Sequence, residues 1–107
     1  MTVDDFRRIA LSFAGTSENA HMDHPDFRVG GKIFASLGYP DADHGMVVLP
    51  PEEQKRLLKS HPKIFTPATG AWGKRGSTCV RLEAVDNDAL KDALGVAWRN
   101  KAPKSLL

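Results

Sequence analysis

A pair of glycines between two strand-forming segments constrains the fold of this chain most strongly. Gly30 and Gly31 separate Asp26–Val29 from Lys32–Leu37, and adjacent glycines supply the positive φ angles that a two-residue hairpin turn requires. Strands joined by so short a turn must pair in antiparallel fashion. The sequence therefore predicts an antiparallel hairpin in the first half of the chain.

Helical patterns lie on both sides of this hairpin. Thr2 and Asp5 have the spacing of a capping box, and an apolar stripe at helical spacing follows them. Proline is tolerated in the first turn of a helix, which favours a second helix opening at Pro50-Pro51. The predicted helices are Thr2–Phe13, the segment from Pro50-Pro51 to before Pro62, and the segment from Asp86 or Asn87 to about Lys101.

Short alternating or apolar segments predict the strands. They are Ala20–Asp23, Asp26–Val29, Lys32–Leu37, Met46–Leu49 and Thr78–Glu83, with an irregular stretch over Lys63–Gly76. Alternation in the third strand puts Ile33 on one face and Phe34 on the other. The predicted order is α-β-β-β-(β)-α-β-α, an α+β fold with a mostly antiparallel sheet and helices packed on one face.

Length and composition predict one ordered domain over residues 1–107. The chain is 41% hydrophobic and 26% charged, with a net charge of +2, values typical of an ordinary globular protein. Cys79 is the only cysteine, so no disulfide can form within the chain and a reducing, cytoplasmic setting is expected. The acidic start and the absence of a long apolar run predict neither a secretory signal nor a membrane span.

The segment Thr69–Gly76 carries the clearest functional pattern. Trp72, Lys74 and Arg75 lie between glycines, as in a hairpin tip, or wing, that presents a flat ring and two cations. Such cations neutralise phosphates, and an indole stacks on bases. The alternative is that Trp72 covers the edge of the core while the two cations are simply solvated.

A second candidate wing is the Gly30-Gly31 turn, which Arg28 and Lys32 flank. Their even spacing predicts that both project from one face once the turn is discounted. If this turn lies beside Trp72, two basic wings straddle a nucleic-acid backbone. The alternative is that these charges protect an exposed strand. The cations Arg99, Lys101 and Lys104 are explained by the dipole at a helix C-terminus.

Several segments, taken in order, resemble the MmcQ/YjbR family. They are Arg8–Ser12, Phe27–Ala35, Trp72–Gly76, Ala97-Trp98 and Ala102–Lys104. The resemblance implies a bacterial α+β domain with a frataxin-like (CyaY-like) layout and a double-wing arrangement associated with DNA binding. Many relatives carry a His-Met-Asn-Lys-type stretch where this chain has Ala71–Gly76, so only the basic and aromatic character is retained.

The residues offer little for catalysis or for a cofactor. His21, Asp23, His24 and Asp26 are potential metal ligands, but alternation predicts His21 and Asp23 on one face and His24 on the other, which does not form a closed site. Cys79 is expected to be buried. No catalytic triad pattern, phosphate-binding loop or dinucleotide fingerprint is present. We therefore expect no metal and no cofactor.

These patterns favour a non-catalytic, monomeric nucleic-acid-binding module, with DNA as the expected partner. Its expected contacts are Arg28, Lys32, Trp72, Lys74 and Arg75. One alternative is a chaperone-like adaptor that docks a protein partner on an exposed sheet face, for which an outward-facing Phe34 would be the sign. A small enzyme or metal binder using the segment from His21 to Asp26 is the third hypothesis.

Overall fold

A computed structural model describes all of residues 1–107 and contains one six-stranded sheet with four α-helices. The strands are β1 Thr16–His21, β2 His24–Val29, β3 Lys32–Leu37, β4 His44–Val48, β5 Phe65–Pro67 and β6 Ser77–Arg81. The helices are α1 Val3–Leu11, α2 Pro51–Ser60, α3 Gly70–Lys74 and α4 Asn87–Lys101, followed by a 3₁₀ turn at Lys104–Leu106. Every strand pairs in antiparallel fashion, in the order β1-β2-β3-β4-β6-β5. The predicted α+β class is confirmed.

The predicted helix starts are confirmed in detail. The Thr2 hydroxyl accepts a hydrogen bond from the Asp5 amide at 3.0 Å, and the Asp5 carboxylate accepts one from the Thr2 amide at 2.8 Å. This capping box satisfies amides that an open helix end leaves without partners. At α4, the Asp86 side chain accepts from the Ala89 amide at 2.8 Å.

The hydrophobic core lies between the sheet and one layer of helices. Phe6 of α1, Leu57 of α2 and Leu94 of α4 are fully buried against Phe27 and Val47 on the sheet. Trp98, predicted to be a core residue, is only half-buried. Its indole N–H donates to the Ala14 carbonyl at 2.9 Å and its ring stacks on Phe13. It therefore closes the rim of the core and does not fill its centre.

Two details of the strand predictions are wrong: where the first strand lies, and which face Phe34 occupies in Lys32–Leu37. The first strand ends at His21, because Met22 and Asp23 form a turn with positive φ angles. The β2–β3 pairing contains a bulge, so Phe27 pairs with Ala35 while Arg28 pairs with Ile33. The extra residue, Phe34, turns into the core and is fully buried. Strict alternation cannot predict this, because a bulge inserts an extra residue and so changes the face to which the residues beyond it point.

The pairing register defines two ends of the sheet. We call the end at the Gly30-Gly31 turn the hairpin end; β4 finishes there and β6 begins there, since Val48 pairs with Ser77. Helix α4 also finishes there, because Asn100 donates to the Val48 carbonyl at 3.0 Å. The far end carries the β1–β2 turn, the β3–β4 loop and the N-termini of α1 and α4. None of the helices combines the length and apolar character needed to span a membrane.

Candidate nucleic-acid interface

The segment around Trp72 connects two consecutive antiparallel strands, as a hairpin tip does, but it forms a single helical turn, α3, that the sequence did not predict. It joins β5 to β6 at the hairpin end. The Trp72 side chain is not sealed in the core, since 68% of the residue is exposed. The indole is therefore available to a partner.

Contacts from outside the segment hold α3 in place. Gln54 of α2 is buried, and its side-chain amide donates to the Gly73 carbonyl at 2.9 Å and to the Thr78 hydroxyl at 3.1 Å. Gly76 has φ +116°, and a Cβ atom there would overlap the carbonyl oxygen of Leu49. Only glycine fits so close to a neighbouring backbone. The turn is thus anchored on α2 and on the end of β4.

Lys74 and Arg75 are the free cations of this segment. Both are exposed, and neither forms an ion pair. The stretch from Ala68 to Gly76 contains no acidic residue, so nothing nearby along the chain neutralises them. Their charge is available to an anionic partner.

The predicted Gly30-Gly31 turn is confirmed, with φ angles of +57° and +78°. It does not present its cations as predicted, however. Lys32 pairs with Val29 and Arg28 pairs with Ile33, and cross-strand partners share a face. Arg28 therefore shares a face with Ile33. Lys32 is the neighbour of Ile33 along β3 and projects from the opposite face. Lys32 remains exposed and without an ion pair.

Arg28 is not a free cation. Its guanidinium donates to the Asp26 carboxylate at 2.9 and 3.2 Å, and Asp26 is only 2% exposed. This hydrogen bonding raises the pKa of Arg28. The pair satisfies a buried carboxylate, which would otherwise be costly to hold inside the fold. Among the predicted contacts, Arg28 thus has a structural role that the others lack.

The C-terminal cations join the hairpin end. A Cβ atom on Gly30 would lie 2.9 Å from the Pro103 ring, so the chain after α4 packs against the β2–β3 turn. The cations free of ion pairs at this end are Lys32, Lys74, Arg75, Arg99, Lys101 and Lys104. Sequence reasoning assigned the last three to the helix dipole alone. A contact between residues this distant in the sequence leaves no local signal.

Most of the acidic residues lie at the far end of the sheet. Those at the far end are Asp4, Asp5, Asp23, Asp41, Asp43, Glu83, Asp86 and Asp88. The hairpin end carries Glu52 and Glu53 at the start of α2, and Glu53 is paired with Arg56 at 2.7 Å. A chain with a net charge of only +2 is therefore polarised, with its positive pole at the hairpin end.

A groove of about 630 Å³ runs over the helix-free face of the sheet. Trp72 and Tyr39 border it, Ile33 and Met46 are in its lining, and Met22 lies at the β1–β2 turn. The Tyr39 hydroxyl lies 3.1 Å from the Thr69 hydroxyl, which ties the β3–β4 loop to the start of α3. Sequence reasoning missed this groove, because the bulge at Phe34 places Ile33 on the open face.

The histidine-rich segment does not form a metal site. His21 pairs with His24 across β1 and β2, so both lie on one face, contrary to the prediction. No group of three or more His, Cys, Asp or Glu side chains has an arrangement suited to a metal ion. His44 instead bonds to Asp41 at 2.7 Å, which lowers the pKa of that carboxyl. Cys79 is buried as predicted, and burial raises the pKa of its thiol.

Comparison with known proteins agrees with this architecture. The crystal structure of Deinococcus radiodurans protein DR2400, with the family-model domain DUF419, matches at a TM-score of 0.80 and 21% sequence identity, covering 99% of this chain and 82% of that chain. At this identity the likeness concerns the fold. No curated protein matches the sequence significantly. The family model YjbR matches residues 11–100. Because that match spans most of the sequence, this chain belongs to the YjbR family.

Proposed function

We propose that this protein is a non-catalytic DNA-binding module that contacts phosphates with its hairpin end. The carrying observation is the concentration of unpaired cations at that end, with Lys32, Lys74 and Arg75 exposed, while most acidic residues lie at the other end. A polarised charge distribution orients the molecule towards a polyanion before contact. Phosphate contacts position a protein without reading base sequence, so weak sequence preference is expected.

The structure distinguishes cations that are available to a phosphate from one that is already in an ion pair. Lys74 and Arg75 lie on a turn that α2 anchors, whereas Arg28 is held by Asp26. A cation already bonded to a carboxylate gains little from a phosphate, because it must first give up that bond. We therefore assign phosphate contact to Lys32, Lys74 and Arg75 and a supporting role to Arg28.

Fluorescence anisotropy with labelled DNA at low salt tests this assignment. We expect the double variant Lys74→Ala/Arg75→Ala to weaken binding of every DNA sequence by a similar factor, about ten-fold. The matched control is Lys59→Ala/Lys63→Ala. It removes the same charge from exposed residues without ion pairs, at the end of α2 and just beyond it, away from the hairpin end.

The control separates a local contact from a general effect of charge. If both double variants lose affinity equally, only the net charge matters and the assignment to the hairpin end is wrong. If the wild-type protein binds neither duplex nor single-stranded DNA at tens of micromolar, the proposed function itself fails, since non-specific complexes form in roughly the 1–100 micromolar range.

The adaptor hypothesis retains one supporting observation. Its expected sign, an outward-facing Phe34, is absent because Phe34 is fully buried. Exposed apolar residues nevertheless border the open sheet face, with Met22 80% and Trp72 68% exposed. Such a patch is a general mark of binding surfaces. A protein partner on this face is therefore the second candidate function.

A further inference from the structure

We infer that the groove beside Trp72 receives an unpaired nucleobase, so that the preferred partner is single-stranded nucleic acid. This inference rests on the proposed function and specifies its ligand. The groove lies on the open face of an antiparallel sheet and is bordered by Trp72 of α3, the helical turn that also carries Lys74. Open sheets with exposed aromatic rings and basic borders suit single strands, whose bases are free to leave their stack.

Two aromatic rings form a fixed border for this groove. Trp72 is 68% exposed and Tyr39 is 37% exposed. The contact between the Tyr39 and Thr69 hydroxyls holds the two bordering segments together. The Tyr39 ring, held by this hydrogen bond, loses little freedom when a base stacks on it. The groove volume of about 630 Å³ is also within the usual range for small-ligand sites, roughly 300–1,000 Å³.

Charge complementarity selects a nucleotide over a neutral aromatic ligand. Lys74 and Arg75 follow Trp72 closely along the chain, whereas Lys32 projects from the face of the sheet opposite to Ile33 of the groove lining. We therefore expect the phosphates that flank a base inserted beside Trp72 to contact Lys74 or Arg75. The groove lining also contains Ser36 and His24, which supply hydrogen-bonding groups for the edge of a base.

The sheet geometry disfavours a peptide in the same groove. Of its strand residues only His21 lies on an edge strand, β1; the others lie on β2, β3 and β4, each of which has a neighbouring strand on both sides. The backbone groups of these strands are engaged in the sheet, so a peptide cannot extend it here and gains only side-chain contacts. A duplex also fits poorly, because its bases must be flipped out before they reach Trp72.

The two tryptophans allow a direct optical test. In a Trp98→Phe background, which keeps an aromatic ring against Phe13, Trp72 becomes the only indole. We expect a short oligo-dT strand to quench its fluorescence. A strand of equal length made of abasic sites, and a hairpin duplex, should leave it nearly unchanged. Stacking on an indole requires a base, whereas phosphate contact does not.

Affinity measurements give the second readout. Trp72→Ala should weaken binding of oligo-dT about ten-fold and leave binding of the abasic strand and the duplex unchanged. Tyr39→Phe, which keeps the ring, should bind oligo-dT nearly as well as wild type, and Tyr39→Ala should bind it less well. Trp72 is exposed, so its removal should preserve the fold, which circular dichroism checks.

The possible failures are distinguishable. Equal binding of duplex and oligo-dT, with no loss in Trp72→Ala, overturns the inference and leaves the proposed phosphate contacts standing. Quenching by the abasic strand as strong as by oligo-dT also overturns it. Absence of binding to all three probes overturns both proposals. Displacement of bound oligo-dT by an apolar peptide at equal concentration would assign the groove to the adaptor function instead.

Discussion

The chain contains two segments in which cations and glycines lie close together in sequence, but the two segments differ in structure. The β2–β3 turn is an extension of the sheet, held by strand pairing and by Pro103. The α3 segment is a single helical turn, held by the buried amide of Gln54. Within the first, Arg28 is bonded to Asp26; within the second, Lys74 and Arg75 have no carboxylate partner. The occurrence of cations close to glycines therefore does not decide which cations are free of an ion pair.

The two segments also differ in how far they depend on contacts with residues distant in the sequence. A hairpin is defined by its own turn and register. A helix of one turn does not form by itself, because nucleation costs more than so few hydrogen bonds return. The α3 segment therefore takes its shape from Gln54 and from the close approach of Gly76 to Leu49. Substitutions at these supports should affect α3 and leave the hairpin intact.

The largest effect is expected for Gly76→Ala. The added methyl group overlaps the Leu49 carbonyl and the backbone has φ +116°, so we expect a loss of about 3 kcal/mol or more in the free energy of unfolding. The control is Gly31→Ala, which meets no atom within 4 Å and should cost only about 1–2 kcal/mol through its positive φ. Urea denaturation measures both. Equal losses would mean that α3 is no more closely packed than the hairpin turn.

A smaller effect is expected for Gln54→Leu. The substitution leaves the Gly73 carbonyl and the Thr78 hydroxyl without this donor in a buried position, at a cost of about 2 kcal/mol. The neighbouring Lys55→Ala, on the exposed side of α2, is the control and should change stability little. Hydrogen exchange should show faster exchange in α3 and the start of β6 than in β2 and β3. Uniform acceleration through the sheet would contradict a specific support for α3.

The smallest effect on binding is expected for Arg28→Ala. Since Arg28 is occupied by Asp26, its removal should leave the affinity for DNA unchanged. It should nevertheless lower the urea midpoint, because the buried Asp26 carboxylate loses its partner. Fluorescence anisotropy compares the DNA affinity of the folded Arg28→Ala variant with that of Lys74→Ala, which has the same net charge. A loss of DNA affinity as large as that of Lys74→Ala would contradict the proposal that Lys74, but not Arg28, contacts phosphates.

The sequence predicted what local chemistry determines. The capping box of Thr2 and Asp5, the Gly30-Gly31 turn and the start of α4 at Asp86 each depend on residues a few positions apart. The antiparallel α+β architecture then follows from the order of these elements. The family resemblance added the same expectation for the fold, and the match over residues 11–100 confirms the family.

What the sequence did not predict depends on contacts between distant positions. The bulge that buries Phe34 is a property of the β2–β3 register. Helix α3 needs Gln54, which lies 19 residues before Gly73. The groove beside Tyr39 requires three separate segments. Residue type alone does not encode any of these arrangements.

The salt dependence of DNA binding tests the central claim most directly, because its slope counts the phosphates that a protein neutralises. We expect the slope of log Kobs against log salt concentration to fall by about 2 in Lys74→Ala/Arg75→Ala. It should stay at the wild-type value in Arg28→Ala. An unchanged slope in the double variant, or an equal fall in Arg28→Ala, would contradict the claim that the free cations of α3 contact the nucleic-acid backbone.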